Sequence, residues 1–457
     1  MNGHILVKLL CAFFLLGIQA NATELNVVER KIEVNGREAA VYAITQSDGT
    51  MGLTRNKGDD FEVTLKNSIK FPTSVHWHGM LLPNNQDGVA FITQLPIYPG
   101  QTYKYNFPII QSGTYWMHSH YGLEEQKLLS APLIINDPDD QKLADQDIVL
   151  FLTDFSFRSP AEIFYDLRHK SPSAMAGMSM EQGKKDLVDV QYDAFLTNSK
   201  TLKDPQIVRV KAGSKVRLRI INGSSATNFF IRLGKLVGEA IAVDGNRIEP
   251  IKGSEFELAV AQRIDIIVNI EQEGTFPILA QGEGTDMQTG LILAFQNAQV
   301  PDISQKASNQ AGALTNALEG KFRALNGLSQ KKADKQILVE LGGDMQKYEW
   351  TINGQSWPEV TPLLVVNGQR IELLFKNTTS MSHPMHLHGH VFQVTSIDGK
   401  EVNGAMRDTI LVLPNSSIAV QFDANNPGVW PLHCHLLYHL EAGMMTVLRY
   451  DNSSETN

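Results

Sequence analysis

The segment HCHLLYHLEAGM, which runs from His433 to Met444, places three histidines, one cysteine and one methionine within twelve residues. Neighbouring side chains of a β-strand point to opposite faces, so Cys434 should face away from the histidines on either side of it. Cys434, His439 and Met444, with His383 as a further candidate, form the ligand set of a mononuclear blue-copper site. Zinc could also bind a cysteine and two histidines, but zinc does not transfer electrons.

Eight of the thirteen histidines form four His-x-His pairs. Residues i and i+2 of a strand share a face, so each pair presents two imidazoles side by side. Imidazole suits copper, zinc, iron and nickel, and eight imidazoles are too many for one ion, so we predict a metal cluster. A lone histidine in a strand is usually a core or surface group, but that alternative does not account for four matched pairs. The pairs are His76 and His78, His118 and His120, His386 and His388, and His433 and His435.

Two sequence elements occur three times each and locate these pairs. GDDFEVTLKN, GSKVRLRIIN and GQRIELLFKN begin at Gly58, Gly213 and Gly368, and their alternation of apolar and polar residues predicts half-buried strands. GTYWMHSH, GTFPILAQ and GVWPLHCH follow them in the same order. The first and third copies carry histidine pairs at matching offsets, whereas the middle copy carries none. We therefore expect the cluster between the first and third units.

Many short strands separated by Gly, Pro and Asn turns indicate an all-β chain of three β-sandwich domains. We place these domains at residues 23–150, 151–300 and 335–457. Residues 301–334 are predicted to form a linker with some helix. Residues 1–22 are predicted to be a secretory signal peptide, because a short apolar run follows Lys8 and precedes a small-x-small cleavage site. An N-terminal membrane anchor is the alternative, but the apolar run is too short to span a bilayer.

Composition limits the partners and the compartment. The net charge of −9 argues against nucleic acid, because phosphate binding calls for a basic surface, but it leaves metal ions and cationic substrates open. Removal of the signal would leave Cys434 as the single cysteine, so no intramolecular disulfide is expected. We expect no stable membrane insertion of the mature chain and a periplasmic or secreted location. His390 is interpreted as structural and His169 as solvated.

The four histidine motifs resemble the copper-binding motifs of the multicopper oxidases, a family that includes laccases, ascorbate oxidases, ferroxidases and bacterial cuprous oxidases. The resemblance covers the whole mature chain, and SGTYWMHSHYGLEEQ, DAFLTNSKTLKDP and INGSSATNFFI look most similar to the bacterial copper-resistance enzymes. It implies three cupredoxin-like Greek-key β-sandwich domains. The motifs that carry it are HWHG (76–79), HSH (118–120), HPMHLHGH (383–390) and HCHLLYHLEAGM (433–444).

The resemblance implies four copper ions: one type 1, one type 2 and two type 3. The type 1 copper would be bound by His383, Cys434, His439 and an axial Met444. The type 2 and type 3 ions would form the cluster. The implied type 2 ligands are His76 and His386, and the implied type 3 ligands are His78, His118, His120, His388, His433 and His435.

The family mechanism that this resemblance implies couples a small reducing substrate to dioxygen (O2). Electrons would leave the substrate one at a time at the type 1 copper, through the edge of His439 or His383. They would pass through Cys434 to the two histidines beside it. At the cluster, four electrons would reduce dioxygen to two waters.

Dioxygen reduction also needs protons, which a carboxylate near the cluster usually supplies. Asp87, in NNQDGV, matches the family's acidic residue near the type 2 copper, although a turn aspartate in Asp-Gly is the alternative. Some relatives carry an acid at the positions of Leu437 or Leu440. This chain has leucine at both, so Glu441 beside them is the remaining candidate for a second relay.

The electron donor is less constrained. Met175, Met178 and Met180 carry soft thioethers that suit Cu(I), which favours an exported metal-ion oxidase for Cu(I) and also Fe(II) in metal homeostasis. The three methionines could equally be incidental in a polar loop. A laccase-like oxidase of phenols is the second hypothesis, and a non-enzymatic copper-binding protein is the third. A carboxylate or methionine cluster beside His439, or an open apolar pocket there, would separate the first two.

Overall fold

The computed structural model of the chain describes residues 23–169 and 187–451, and these residues fold almost entirely into β-sheet. The predicted signal peptide and the three methionines of the 171–185 segment lie outside the described residues. Within the described ranges, no helix is long and apolar enough to cross a membrane. The strands form six sheets, two for each of the three repeats.

The first unit is a sandwich of two four-stranded sheets. One sheet has the order β2-β1-β4-β6 and the other β3-β8-β7-β5. The strands are β1 Thr23–Val34, β2 Arg37–Gln46, β3 Leu53–Asn56, β4 Asp60–Asn67, β5 Val75–His78, β6 Thr102–Pro108, β7 Gly113–Ser119 and β8 Ser130–Asn136.

The second unit pairs a six-stranded sheet, β10-β9-β12-β17-β14-β15, with a five-stranded sheet, β11-β19-β18-β13-β16. The strands are β9 Gln146–Phe155, β10 Ala194–Thr197, β11 Ile207–Val210, β12 Ser214–Asn222, β13 Phe229–Arg232, β14 Gly238–Val243, β15 Asn246–Gly253, β16 Glu255–Leu258, β17 Arg263–Ile270, β18 Thr275–Gly282 and β19 Gln288–Phe295.

The third unit has a seven-stranded sheet, β21-β20-β23-β29-β25-β26 with β27 on β25, and a five-stranded sheet, β22-β31-β30-β24-β28. The strands are β20 Lys335–Asp344, β21 Glu349–Ile352, β22 Leu363–Val365, β23 Arg370–Asn377, β24 His383–Leu387, β25 Phe392–Ile397, β26 Lys400–Glu401, β27 Met406–Arg407, β28 Thr409–Val412, β29 Ser417–Asp423, β30 Val429–Cys434 and β31 Met445–Tyr450.

Helices are short and lie between strands. The α-helices are α1 Pro160–His169 and α2 Leu437–Glu441, and the 3-10 helices are Asn84–Gln86, Glu124–Lys127, Pro138–Lys142 and Glu319–Lys321.

Strand pairing repeats from unit to unit, which confirms the predicted cupredoxin-like architecture. In one sheet of each unit a parallel pair recurs: β1 with β4, β9 with β12, and β20 with β23. In the other sheet the parallel pairs are β3 with β8, β11 with β19, and β22 with β31. The remaining ladders are antiparallel, as expected when Greek-key connections close a sandwich.

The first repeated element forms the same strand in every unit: β4, β12 and β23. In β4 the alternation buries Phe61, Val63 and Leu65 on one face, each at most 1% exposed. Burying each of these side chains stabilises the fold by roughly 1.5–3 kcal/mol. The predicted period-two pattern therefore directs one face of this strand into the core.

Two details depart from the predicted boundaries. Strand β9 crosses residue 150 and pairs with β10 and β12, so the second unit begins before the predicted position. Residues 301–334 contain one three-residue 3-10 helix, Glu319–Lys321. Leu314 and Phe322 in this segment are buried against the domains, so it packs as part of the molecule.

Candidate metal centre

A compact group of three donor atoms lies inside the third unit. The Nδ1 atoms of His383 and His439 are 3.1 Å apart, and Sγ of Cys434 lies 3.6 and 3.8 Å from them. A point in the plane of these atoms lies ~2.0 Å from each, close to the metal–nitrogen distance in protein sites. All three residues are fully buried. The arrangement matches the ligands predicted for a mononuclear site.

The surroundings of the two rings leave Nδ1 as the metal-facing atom. Nε2 of His383 is 2.8 Å from Thr379 Oγ1, and Nε2 of His439 is 2.8 Å from Asp189 Oδ2. Trp350 stacks on His439 with the ring centroids 4.0 Å apart. Because each Nε2 has its own partner, the ring orientation is fixed before a metal binds.

Met444, the predicted axial ligand, is fully buried. The Cys434 amide donates to the Met444 carbonyl at 3.1 Å, and the Met444 amide donates to the His439 carbonyl at 2.9 Å. The turn after α2 therefore places Met444 beside Cys434, next to strand β30.

The eight paired histidines come together at the junction of the first and third units. Strands β5 and β7 pair with His76 opposite His118, and β24 and β30 pair with His386 opposite His433. The rings of the four pairs lie side by side, with centroids 4.8–6.1 Å apart within a pair. Only the first pair lies wholly within its strand, because β7, β24 and β30 end before the second histidine of the pair.

Six of the eight rings have one nitrogen held by an oxygen atom of the protein. Five of them are held through Nδ1 and one, His78, through Nε2. The contacts are His76 to Asp87 O, His78 to Asp408 Oδ1, His118 to Ser119 O, His386 to Asp408 O, His388 to Asp87 Oδ2 and His433 to Cys434 O, all at 2.9–3.1 Å. Such partners fix the tautomer and turn the opposite nitrogen inward.

The inward nitrogens fit a bound cation. Five of them are buried without a hydrogen-bond partner: Nε2 of His76, His118, His386 and His435, and Nδ1 of His78. Nε2 of His388 and Nε2 of His433 face each other at 3.0 Å. Both of these rings donate through Nδ1, so two lone pairs meet there, and a bound metal ion would satisfy them.

Burial keeps seven of these imidazoles neutral, which is the form that binds metals. The pKa of His433 is lowered to about 4, first by desolvation. Desolvation and neighbouring histidines also depress the pKa of six other rings well below the usual value: His78, His118, His120, His386, His388 and His435. Desolvation raises the pKa of the Cys434 thiol.

Besides Asp408, three carboxylates lie around the cluster. Asp87 is fully buried and contacts His388, and its Oδ1 lies 3.1 Å from Nδ1 of His76. Glu125 is also buried, with Oε2 2.8 Å from Nδ1 of His118. Glu125 and Glu441 both line a cavity of about 550 Å3 that reaches the histidines, with Glu441 on its exposed side.

Sequence reasoning missed several polar residues of the site. Glu125 follows the HSH motif closely, but a Glu-Glu-Gln run is ordinary helix-turn composition. Asp189 and Asp408 carry no local signature, because each reaches its histidine through tertiary contact.

Two further histidines of the described residues lie outside the two donor groups. Nε2 of His390 contacts the Tyr450 hydroxyl at 2.7 Å, and Nδ1 contacts the His388 carbonyl, so its contacts are structural. Strand β24 ends at Leu387, so His388 and His390 both lie beyond it. His169 is exposed at the end of α1.

Comparison with known proteins places the chain among redox enzymes. Three family models described as multicopper oxidase match residues 26–140, 149–305 and 330–454. The multicopper oxidase MmcO of Mycobacterium tuberculosis is 34% identical over 405 residues, covering 86% of this chain and 80% of MmcO. Copper resistance protein A of Escherichia coli is 26% identical over 569 residues, covering 95% and 93%.

Among solved structures, Fet3p, described as a multicopper oxidase that functions in iron import, matches with a TM-score of 0.80. The identity is 22%, over 94% of this chain and 90% of that chain, so the likeness concerns the fold. The fold and the donor groups define an oxidoreductase of cupredoxin-like domains that uses copper. The chain belongs to the multicopper oxidase family.

Proposed function

We propose that the chain is an exported metal-ion oxidase that takes electrons from Cu(I), and also from Fe(II), and reduces dioxygen to water. It would hold four copper ions. His383, Cys434, His439 and Met444 would bind the type 1 ion. The cluster histidines would bind the type 2 ion through His76 and His386 and the type 3 pair through the other six. The buried, unpartnered ring nitrogens support this assignment.

When bound, copper supplies reversible one-electron chemistry. The chain supplies the connection between the two centres, since Cys434 is covalently continuous with His433 and His435. Burial of all three residues keeps bulk water away from this connection.

We assign proton supply to the carboxylates on two sides of the cluster. Asp87 accepts a hydrogen bond from Nδ1 of His388 at Oδ2, which places its carboxylate beside the cluster, where a proton is needed. Glu125 lies against His118 and lines the cavity, and the exposed Glu441 lines the same cavity. Glu441 would receive protons from water, and Glu125 would pass them inward.

The contact between Asp189 and His439 is the observation that favours metal ions over phenols as the electron donor. His439 is fully buried, and the Asp189 carboxylate, 6% exposed, covers its Nε2. The same carboxylate oxygen accepts a hydrogen bond from the Tyr348 hydroxyl at 2.7 Å. A donor that reaches this edge meets a carboxylate, which attracts a metal cation more strongly than a neutral phenol. Met175, Met178 and Met180 precede Asp189 closely in the chain and could supply soft ligands.

The names of relatives agree with this proposal. One is a copper resistance protein, and Fet3p is described as functioning in iron import. A Campylobacter jejuni enzyme described as a metallo-oxidase is 21% identical with a TM-score of 0.72, over 93% of this chain and 90% of that chain.

Replacing Asp189 with Asn tests the choice of donor. Loss of the carboxylate charge should lower kcat/KM for Cu(I) and Fe(II) by roughly 10–100-fold, the usual effect of removing one charged contact. The rate with a phenol should change by less than about threefold. Oxygen consumption by the copper-loaded enzyme, with each donor in turn, measures both effects.

Glu349→Gln is the matched control, because Glu349 is an exposed carboxylate next to Tyr348 in sequence and lies 3.9 Å from Arg168. It should leave the oxidation rates with Cu(I), Fe(II) and the phenol unchanged. Equal losses for metal ions and phenol in Asp189→Asn would contradict a cation-binding role. Efficient phenol oxidation with poor Cu(I) oxidation by the unaltered protein would favour the laccase-like alternative.

A further inference from the structure

The middle unit contributes none of the predicted copper ligands, yet one of its arginines reaches the cluster. We propose that Arg263 is a positioning residue that holds the Asp408 carboxylate in the orientation that fixes the cluster histidine His78, beside the second cluster histidine, His386, which the Asp408 backbone holds. This inference rests on the histidines being the copper ligands, but it does not depend on the identity of the electron donor.

Arg263 is the first residue of β17 and is completely buried. Its Nη1 donates to Asp408 Oδ1 at 2.7 Å and its Nη2 to Oδ2 at 2.5 Å, which is a two-pronged contact. Its Nε donates to the Thr114 carbonyl of β7 at 3.1 Å. One guanidinium therefore links all three units. Because it is planar and binds both carboxylate oxygens, it fixes both the position and the rotation of the Asp408 carboxylate.

Asp408 contacts one histidine through its carboxylate and the other through its backbone. Its Oδ1 lies 3.1 Å from Nε2 of His78, and its backbone carbonyl lies 2.9 Å from Nδ1 of His386. The Thr409 hydroxyl lies 3.2 Å from the same His78 nitrogen. With Nε2 held, Nδ1 of His78 faces the cluster, where it is buried without a hydrogen-bond partner.

The backbone leaves space for this contact at Gly79, which follows His78. A Cβ atom there would lie 2.4 Å from Nη2 of Arg263 and 2.6 Å from Oδ2 of Asp408. The φ angle of Gly79 is +83°, a conformation that favours glycine. The glycine of the HWHG motif is thus required by the ion pair that holds the motif's second histidine.

Charges around the pair confine Asp408 to this arrangement. The Asp244 side chain accepts a hydrogen bond from the Arg263 backbone amide at 2.9 Å and lies 3.2 Å from Nη1 of Arg407. Arg407 also contacts the Glu319 carboxylate. Without Arg263, the buried Asp408 carboxylate would lose its partner and turn towards other donors, because a buried charge needs compensation. His78 would then lose the contact that sets its ring orientation.

Arg263→Met, Arg263→Lys and Asp408→Asn test this inference in the full chain. Partners that orient metal ligands typically contribute 10–100-fold to metal affinity. We therefore expect Arg263→Met to lower the copper affinity of the cluster at least about tenfold while the blue type 1 absorbance is retained. Arg263→Lys keeps the positive charge but cannot make the two-pronged contact with Asp408, so the copper affinity should fall by less than in Arg263→Met. Copper content, type 2 electron paramagnetic resonance and type 3 near-ultraviolet absorbance measure the cluster separately from the type 1 ion.

Arg370→Met is the matched control, because Arg370 is 2% exposed and makes a similar two-pronged contact with Asp423. It should leave both centres unchanged. A normal cluster in Arg263→Met, or equal losses at both centres in Arg263→Met and Arg370→Met, would overturn the proposal. If Arg263→Met does not fold, Asp408→Asn tests the proposal instead. This variant removes one of the two carboxylate oxygens that Arg263 contacts but keeps a carbonyl oxygen for His78. An unchanged type 3 absorbance in that variant would also overturn the proposal.

Discussion

The Cys434 thiol lies in an environment that favours its neutral form until a metal arrives. It is completely buried, and desolvation raises its pKa above the usual value. Metals bind the thiolate, so copper binding must displace the thiol proton. The two Nδ1 atoms at 3.6 and 3.8 Å would share the ion that replaces this proton. Copper loading should therefore release protons.

Replacing Cys434 with Ser tests the centre directly. A serine hydroxyl is similar in size but is not a soft thiolate ligand, so the blue absorbance should disappear and oxidase activity should fall below detection. The fold should survive, because the substitution removes little volume from the core. Visible absorbance, oxygen uptake and circular dichroism would be measured on the same preparation.

Ser119→Ala is the control for that experiment, since Ser119 occupies the equivalent position between His118 and His120 in the first unit. Blue colour and oxidase activity should persist in it. A blue and active Cys434→Ser protein would disprove the type 1 assignment.

Individual residues differ in how far the sequence predicts them. Eight of the twelve ligand candidates followed from matching repeat offsets, and the resemblance supplied roles for all twelve. Asp189, Asp408 and Arg263 could not be found in this way. Each acts through a contact between residues more than 140 positions apart in sequence, which local spacing does not encode.

At the level of elements, the repeated asparagine explains why the same strand occurs three times. The Asn222 side chain donates to the carbonyls of Thr227 and Leu258 and accepts from the Ser224 amide. Asn67 and Asn377 make equivalent contacts in their own units. Each asparagine thus joins the end of its strand to the next loop, which fixes where the following strand begins.

Asn222→Ala should destabilise the protein without affecting the copper centres. It leaves two buried carbonyls and one amide unpaired, which costs roughly 2–4 kcal/mol of unfolding free energy. The middle unit carries none of the predicted ligands, so the blue absorbance of folded protein should be unchanged. Urea unfolding of the metal-free protein measures the loss. Asn269→Ala, at an exposed position of β17, is the control and should change stability by less than about 0.5 kcal/mol.

The predicted elements were correct where alternation governs them and less accurate where strands end. Strands β4, β12 and β23 follow directly from the period-two pattern. His120, His388 and His435 lie just beyond strand ends, because the backbone must turn there for the rings to surround a common centre. The amides of these three histidines donate to the carbonyls of Ser74, Pro431 and Pro384, each within the same unit, and such contacts leave no periodic signature.

At the scale of the whole molecule, folding buries many titratable groups that water would otherwise charge. Burial lowers the pKa of His390 to about 4, while an unfolded histidine titrates near 6.5. Below pH 6.5 the unfolded chain therefore binds more protons than the folded chain. Stability from a neutral buried histidine is present above that pH and is lost as the pH falls towards 4. Glu124, whose pKa desolvation raises to about 7, acts in the opposite direction.

His390 offers a way to isolate this effect, because it is buried but lies outside the predicted ligand set. Between pH 7 and pH 5 it should account for roughly 2 kcal/mol of the fall in unfolding free energy of the metal-free protein. His390→Gln should reduce that fall by about the same amount, whatever its stability at pH 7. His169→Gln, which changes an exposed ring, should leave the pH dependence unaltered. Urea unfolding at three pH values measures the slopes, and identical slopes for the parent and His390→Gln would mean that His390 is not held neutral by the fold.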